Sequence, residues 1–162
     1  MENLWAVWRR DFILGPKEEG CVFCRRISEK SDRENLILYR GKRVFVIMNK
    51  YPYNGGHLLI VPYSHVKDLD QLTREESCDL FDFSTRAVDV LKAAMPADGF
   101  NLGINLGAIA GAGIEEHLHM HVVPRFRGDT SFLAVLGKTK VQSISMEEIY
   151  DLLKPGFDRI KD

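Results

Sequence analysis

Three of the five histidines fall at every second position of His117-Leu118-His119-Met120-His121-Val122-Val123. On a helix that spacing scatters the rings, because two residues turn the chain by about 200° at 3.6 residues per turn. On a strand, alternate side chains share one face. The three imidazoles then line up over about 13 Å, while Leu118, Met120 and Val122 point the other way into a core. Such a row can do two kinds of chemistry. Neutral imidazoles can grip one metal ion, or a ring held between two others can act as nucleophile or acid–base group. A solvated polar face is the plain alternative, and histidine is an odd choice for it three times over.

Other residues could join them. Gly20-Cys21-Val22-Phe23-Cys24 places two thiols on one tight turn, as zinc and redox sites both require. A redox role asks for a thioredoxin-like strand–helix setting that the flanking sequence does not supply, and two unconnected free thiols are the alternative. The third cysteine, Cys78, falls on a helical apolar stripe and reads as a core thiol. The loop Ala108-Ile109-Ala110-Gly111-Ala112-Gly113 is small enough to turn backbone N–H groups toward an anion, although flexible connectors look the same.

The elements that must position these residues follow from pattern. Leu36–Tyr39 and Val44–Met48 read as a hairpin through Arg40-Gly41-Lys42-Arg43, with Asn49 closing the second strand. Tyr51-Pro52-Tyr53-Asn54-Gly55-Gly56 is dense turn chemistry. A third strand runs from His57 to Val61, and its continuous apolar character predicts burial on both faces; His65 lies just beyond Pro62. The capping box Thr73/Glu76 opens a long helix to Ala94, with Cys78, Phe81, Val88, Leu91 and Met95 as its apolar stripe and Thr85 filling a gap. Residues 100–107 alternate as a strand that should pair with the histidine strand, which itself should end near Pro124. A short apolar run spans Phe132–Leu136, and Ser145-Met146-Glu147-Glu148 caps a last helix that Lys154-Pro155-Gly156 should stop. An antiparallel sheet with helices on it is α+β in class.

The 162 residues suit one domain with a sizeable core. A hydrophobic share of 45% and a charged share of 28% are ordinary for a globular protein. With 22 basic and 23 acidic residues the net charge is −1, so nucleic acid and acidic membranes are not attracted globally and an anionic ligand must be held locally. No apolar run reaches membrane-spanning length, and the start lacks the pattern of a signal peptide. Three cysteines without an export signal suit a reducing cytoplasm. Trp5 and Trp8 near the N-terminus call for cover by the domain or by a second subunit.

The pattern His-φ-His-φ-His-φ-φ, with φ apolar, resembles the signature of the histidine triad superfamily of nucleotide hydrolases and transferases, and His117–Val123 matches it throughout. The likeness extends to Tyr53-Asn54-Gly55-Gly56-His57-Leu58-Leu59-Ile60-Val61-Pro62. Leu4-Trp5-x-x-Trp8-Arg9 and Val123-Pro124-Arg125-Phe126-x-Gly128-Asp129 resemble the bacterial branch that includes diadenosine tetraphosphate phosphorylases. The resemblance implies a five-stranded antiparallel sheet with two main helices, dimerised into one continuous sheet. On this chain it implies an arm over 1–20, a core over 21–125 and an extension over 126–162 of a single domain. His119 would attack the α-phosphorus of an adenosine-containing nucleotide, its tautomer fixed by the carbonyl of His117. His121 would meet the phosphoryl oxygens or the leaving group.

By the same likeness Asn49, eight residues before His57, would bind ribose hydroxyls. Asn105, with backbone donors of Gly111 and Gly113, would lie near the phosphates, and His57 would steady the triad. Lys50, Arg125 and Arg127 are candidates for the distal phosphates. The resemblance also implies a structural zinc held by Cys21, Cys24, His65 and His117, with no organic cofactor. Where many relatives carry serine before the first triad histidine, this chain has Gly113 and Ile114, so a phosphate contact there falls to backbone. Leu118 between the first two histidines sets the chain apart from galactose-1-phosphate uridylyltransferases, which have proline. The implied activity is cleavage of dinucleoside polyphosphates, by hydrolysis or phosphorolysis. Hydrolysis of adenosine phosphoramidates and a low-turnover nucleotide-binding module are the alternatives.

Overall fold

The computed structural model describes residues 20–129, 142 and 144–161. The tryptophan-bearing arm and the run 132–136 lie outside them. Five strands form one antiparallel sheet: β1 (Ile37–Arg40), β2 (Val44–Met48), β3 (Leu58–Pro62), β4 (Gly99–Ile104) and β5 (Met120–Arg125), in spatial order β1-β2-β3-β5-β4. Among the described residues three helices accompany them: α1 (Val22–Ser28), α2 (Arg74–Ala94) and α3 (Met146–Phe157). The expected α+β class and the antiparallel five-stranded sheet are borne out, with α1 added to the two expected helices.

β2 and β3 are buried on both faces, as their unbroken apolar runs predict. On one face Val44, Val46, Leu58 and Ile60 meet α2 and α3. On the other, Phe45, Ile47, Leu59 and Val61 pack with Phe23 of α1. Leu118, Met120 and Val122 join the first cluster, so the histidines alternating with them face α1. The site is built on that second face.

Both capping boxes form: Thr73 accepts from the Glu76 amide and Ser145 from that of Glu148. The buried side of α2 differs from the expected stripe. Leu80, Phe83, Ser84, Ala87 and Leu91 are buried, whereas Phe81 is 64% exposed and Cys78 is exposed, not a core thiol. Two apolar stripes compete on this helix, and the one that fits between the sheet and α3 wins. α3 also runs past its expected stop. Pro155 removes one hydrogen bond in the last turn, but Leu153 and Phe157, four apart and both fully buried, hold that turn on the core. Gly156 lets α3 approach α2; a Cβ there would meet Val90 Cγ1 at 2.6 Å.

β5 begins at Met120, so His117 and His119 precede the hydrogen-bonded ladder, against the expectation of a strand from 117. Continuing the β3–β5 register places Leu118 opposite Pro62, which has no N–H to offer. The Leu118 amide instead donates to the Val66 carbonyl at 2.7 Å. The alternation of faces survives without the ladder. At its other end β5 runs through Pro124, because β3 starts opposite Val122 and leaves that side of the proline unpaired.

Candidate functional site

The β2–β3 turn and the start of β5 bring four histidines together. His57 precedes β3 on the face shared by Leu59 and Val61, and Leu59 pairs with His121. The His57 ring is thereby 1% exposed, with Nε2 2.9 Å from His121 Nδ1. His121 and His119 have ring centroids 5.0 Å apart. His119 is 6% exposed and its Nδ1 donates to the His117 carbonyl at 2.8 Å. That bond leaves the lone pair on Nε2. Burial pushes the His119 pKa down and outweighs the opposing pull of the carbonyl, so the ring is neutral near pH 7. A buried neutral imidazole with a fixed lone pair is suited to nucleophilic attack.

His117 is turned to other partners. Its Nε2–H donates to the Pro62 carbonyl at 2.9 Å, and its Nδ1 lies 3.3 Å from Cys21 Sγ and 3.7 Å from Cys24 Sγ. Cys24 Sγ is 3.3 Å from His65 Nδ1. Cys21 caps α1, and Cys24 is that helix's third residue. The four ligand atoms all lie within 4.8 Å of one another. Zinc–sulfur and zinc–nitrogen bonds of ordinary length at tetrahedral angles give a sulfur–nitrogen edge of about 3.5 Å. The cluster can therefore hold a metal ion. Two further observations fit that role. Burial lowers the His117 pKa and keeps its ring neutral, the form that can bind a metal. Burial and the neighbouring Cys21 raise that of Cys24, a cost that a cation between the sulfurs reverses. The Pro62 carbonyl fixes the His117 tautomer, with the lone pair on the Nδ1 that faces the sulfurs.

The other expected site residues are placed less uniformly. Asn49 Oδ1 accepts from the Tyr51 amide at 2.9 Å, and its Nδ2 lies 3.3 Å from His57 Nδ1, so it both closes the turn and touches the site. Asn105 donates to the Gly111 carbonyl at 3.3 Å and braces the loop after β4. The Gly111 N–H, expected to face an anion, instead donates to the Ala108 carbonyl at 2.9 Å, because residues 108–110 form a 3-10 turn. Arg125 is likewise committed: its guanidinium donates to both Asp129 oxygens and to Asn101 Oδ1. Lys50 and Arg127 are surface residues. A cavity of about 410 Å³ lies beside His121, lined in part by Tyr53, Asn101, Asn105 and Arg125.

Sequence reasoning missed two aromatic neighbours. Phe23 meets His117 and His119 with centroid distances of 5.4 and 5.2 Å. Tyr53 stacks on His57 and His121. For Phe23 the signal is an apolar residue inside Cys-x-x-Cys, which a solvent-facing turn would not need. For Tyr53 there is none beyond its nearness to His57.

Alternating histidines on a five-stranded antiparallel sheet, backed by a cysteine–histidine cluster, define a histidine triad domain. The chain belongs to the HIT domain family, whose model matches residues 30–128. It is 48% identical over 149 residues to AP-4-A phosphorylase of Mycobacterium tuberculosis, covering 87% of this chain and 76% of that one. With the asymmetrical bis(5'-nucleosyl)-tetraphosphatase of Schizosaccharomyces pombe it shares 34% identity over 95 residues, 59% of this chain and 52% of that protein. Among solved structures, a Zn-bound histidine triad family protein from Mycobacterium smegmatis superposes with a TM-score of 0.70 at 29% identity, covering 86% of this chain and 94% of that one. The match to the family starts after the two cysteines, so the cluster draws one helix from outside it.

Proposed function

We propose that the chain is an enzyme that cleaves dinucleoside polyphosphates, diadenosine tetraphosphate first among them, by way of a nucleotidyl-His119 intermediate. The observation that carries this reading is the state of His119, buried, neutral and with its lone pair on Nε2. The activities for which the Mycobacterium tuberculosis and Schizosaccharomyces pombe relatives are named support the substrate class. In the first step Nε2 attacks the α-phosphorus, a phosphorus–nitrogen bond forms, and the bond to the bridging oxygen of the β-phosphate breaks. His121 faces the phosphoryl oxygens or the leaving group and stabilises the charge that develops there. In the second step an oxygen of water or inorganic phosphate attacks the same phosphorus and His119 leaves.

Asn49 contacts the ribose with its remaining acceptor capacity, while Asn105 and the backbone at Gly113 lie along the phosphates. His57 steadies His121. Zinc is the metal best matched to two thiolates and two imidazoles in a closed set. When bound it holds α1, the loop after β3 and the approach to β5 together, leaving His119 and His121 free for phosphorus. The thiol ligands suit the cytoplasm. Two copies join along β4, the last strand of the sheet.

Incubation with diadenosine tetraphosphate, with and without inorganic phosphate, tests the reading. AMP and ATP without phosphate identify a hydrolase; ADP and ATP only with phosphate identify a phosphorylase. Lack of turnover in both arms would overturn the proposal, and conversion of an adenosine phosphoramidate would then redirect it.

A further inference from the structure

Tyr53, in the turn between β2 and β3, presents its ring to two histidines at once. It stacks on His57 with centroids 4.8 Å apart and 22° between planes, and on His121 at 6.0 Å and 24°. Its backbone N–H donates to His57 Nδ1 at 3.1 Å. An amide N–H can only donate, so Nδ1 carries the lone pair and a neutral His57 holds its proton on Nε2. That Nε2 lies 2.9 Å from His121 Nδ1 and donates to it, so a neutral His121 carries its own proton on Nε2.

His119 is arranged the other way. The carbonyl of His117 can only accept, so the His119 proton is on Nδ1 and the lone pair on Nε2. Two rings two residues apart on one face thus show opposite characters at the same ring position. His119 offers a lone pair where His121 offers an N–H. The His121 assignment starts from the Tyr53 amide and lasts only while neither intervening ring turns over.

We propose that Tyr53 is a positioning residue that fixes His121 as an Nε2–H donor. Its amide, together with Asn49 Nδ2, sets the tautomer of His57, and its ring, lying along both imidazoles, keeps them from turning over. The catalytic consequence rests on the reading of this face as a phosphoryl-transfer site, in which a donor beside the nucleophile serves the leaving oxygen; the tautomers themselves do not depend on it. The ring is the part that substitution can remove, because every residue except proline keeps the amide.

The experiment is nitrogen-15 NMR of histidine-labelled full-length protein, purified with its metal and without nucleotide, beside steady-state kinetics on diadenosine tetraphosphate. In the unaltered protein His57 and His121 should show a protonated, pyrrole-type Nε2 and a pyridine-type Nδ1, with His119 the reverse. Tyr53→Phe should keep that pattern and keep kcat within about twofold. Tyr53→Ala should average the two nitrogen signals of His121 and lower kcat about tenfold or more, with KM changed less than about threefold and His119 unaltered. Tyr53→Leu, which retains apolar bulk without a ring, replaces the alanine variant if that one does not fold. A proton on Nδ1 of His121 in the unaltered protein overturns the proposal, as do unchanged His121 signals in the ring-less variants. If nucleotide turnover is absent throughout, the functional reading fails and the NMR pattern still decides the tautomers.

Discussion

His119 and Asp129 show how single side chains are set by their partners. With its Nδ1 bonded and its ring buried, His119 combines neutrality with an aimed lone pair. His119→Ala should lower turnover of diadenosine tetraphosphate by about 10³-fold or more while nucleotide still binds, as read by single-turnover kinetics and calorimetry. Asp129 is held well below the usual carboxylate range, chiefly by hydrogen bonds from Arg125, with Asn54 and the Phe126 amide adding to the pull. Its folded-state pKa lies under its unfolded value of about 3.9. The contribution to stability is therefore complete at neutral pH, above the unfolded value, and is lost as pH falls toward the folded one. Asp129→Asn should flatten the acid limb of a plot of urea midpoint against pH; an unchanged limb would show that the clamp adds nothing.

At the scale of elements, the turn before β3 is the tightest point. Gly56 has φ +82°, and a Cβ there would meet Met95 Sδ at 2.8 Å and Leu91 and Pro124 at 3.2 and 3.3 Å. Gly56→Ala should cost about 3 kcal/mol by urea unfolding, combining backbone strain with overpacking, and should disturb the adjoining His57. Helix α1 is secured differently, by Phe23 and the two cysteines. Purified protein should contain about one zinc per chain, and Cys24→Ser should reduce that to a few tenths or less by metal analysis, with a lower Tm. How legible the elements were depended on competition. β2 and β3 were readable because an unbroken apolar run bounded by turn residues has few alternatives. The buried side of α2 was not, since Cys78-Phe81-Val88 and Leu80-Phe83-Ala87 are both plausible helical stripes and only the partner surfaces choose between them. Pro155-Gly156 read as a stop because the local cost of proline is visible in sequence, whereas the burial of Phe157 is not.

At the scale of the molecule, the sheet carries one family of residues on each face, with α2 and α3 on one side and α1 with the histidines and cysteines on the other. Among the described residues no helix is long and apolar enough to cross a membrane. The sheet ends on β4 at one side, so the chain should sediment at twice its mass, and a monomer at micromolar concentration would remove β4 as a joining edge. The cysteine–histidine cluster was legible from four scattered residues because a family pattern supplied their grouping; spacing alone left zinc, redox and free thiols open. Tyr53 stayed hidden because a turn aromatic has no periodicity to betray what it stacks on. His117 gives its ring to the sulfurs and its carbonyl to His119. A substitution at Cys21 or Cys24 should consequently reach His119 through His117. The two centres are physically coupled, joined through the ring and the carbonyl of a single residue.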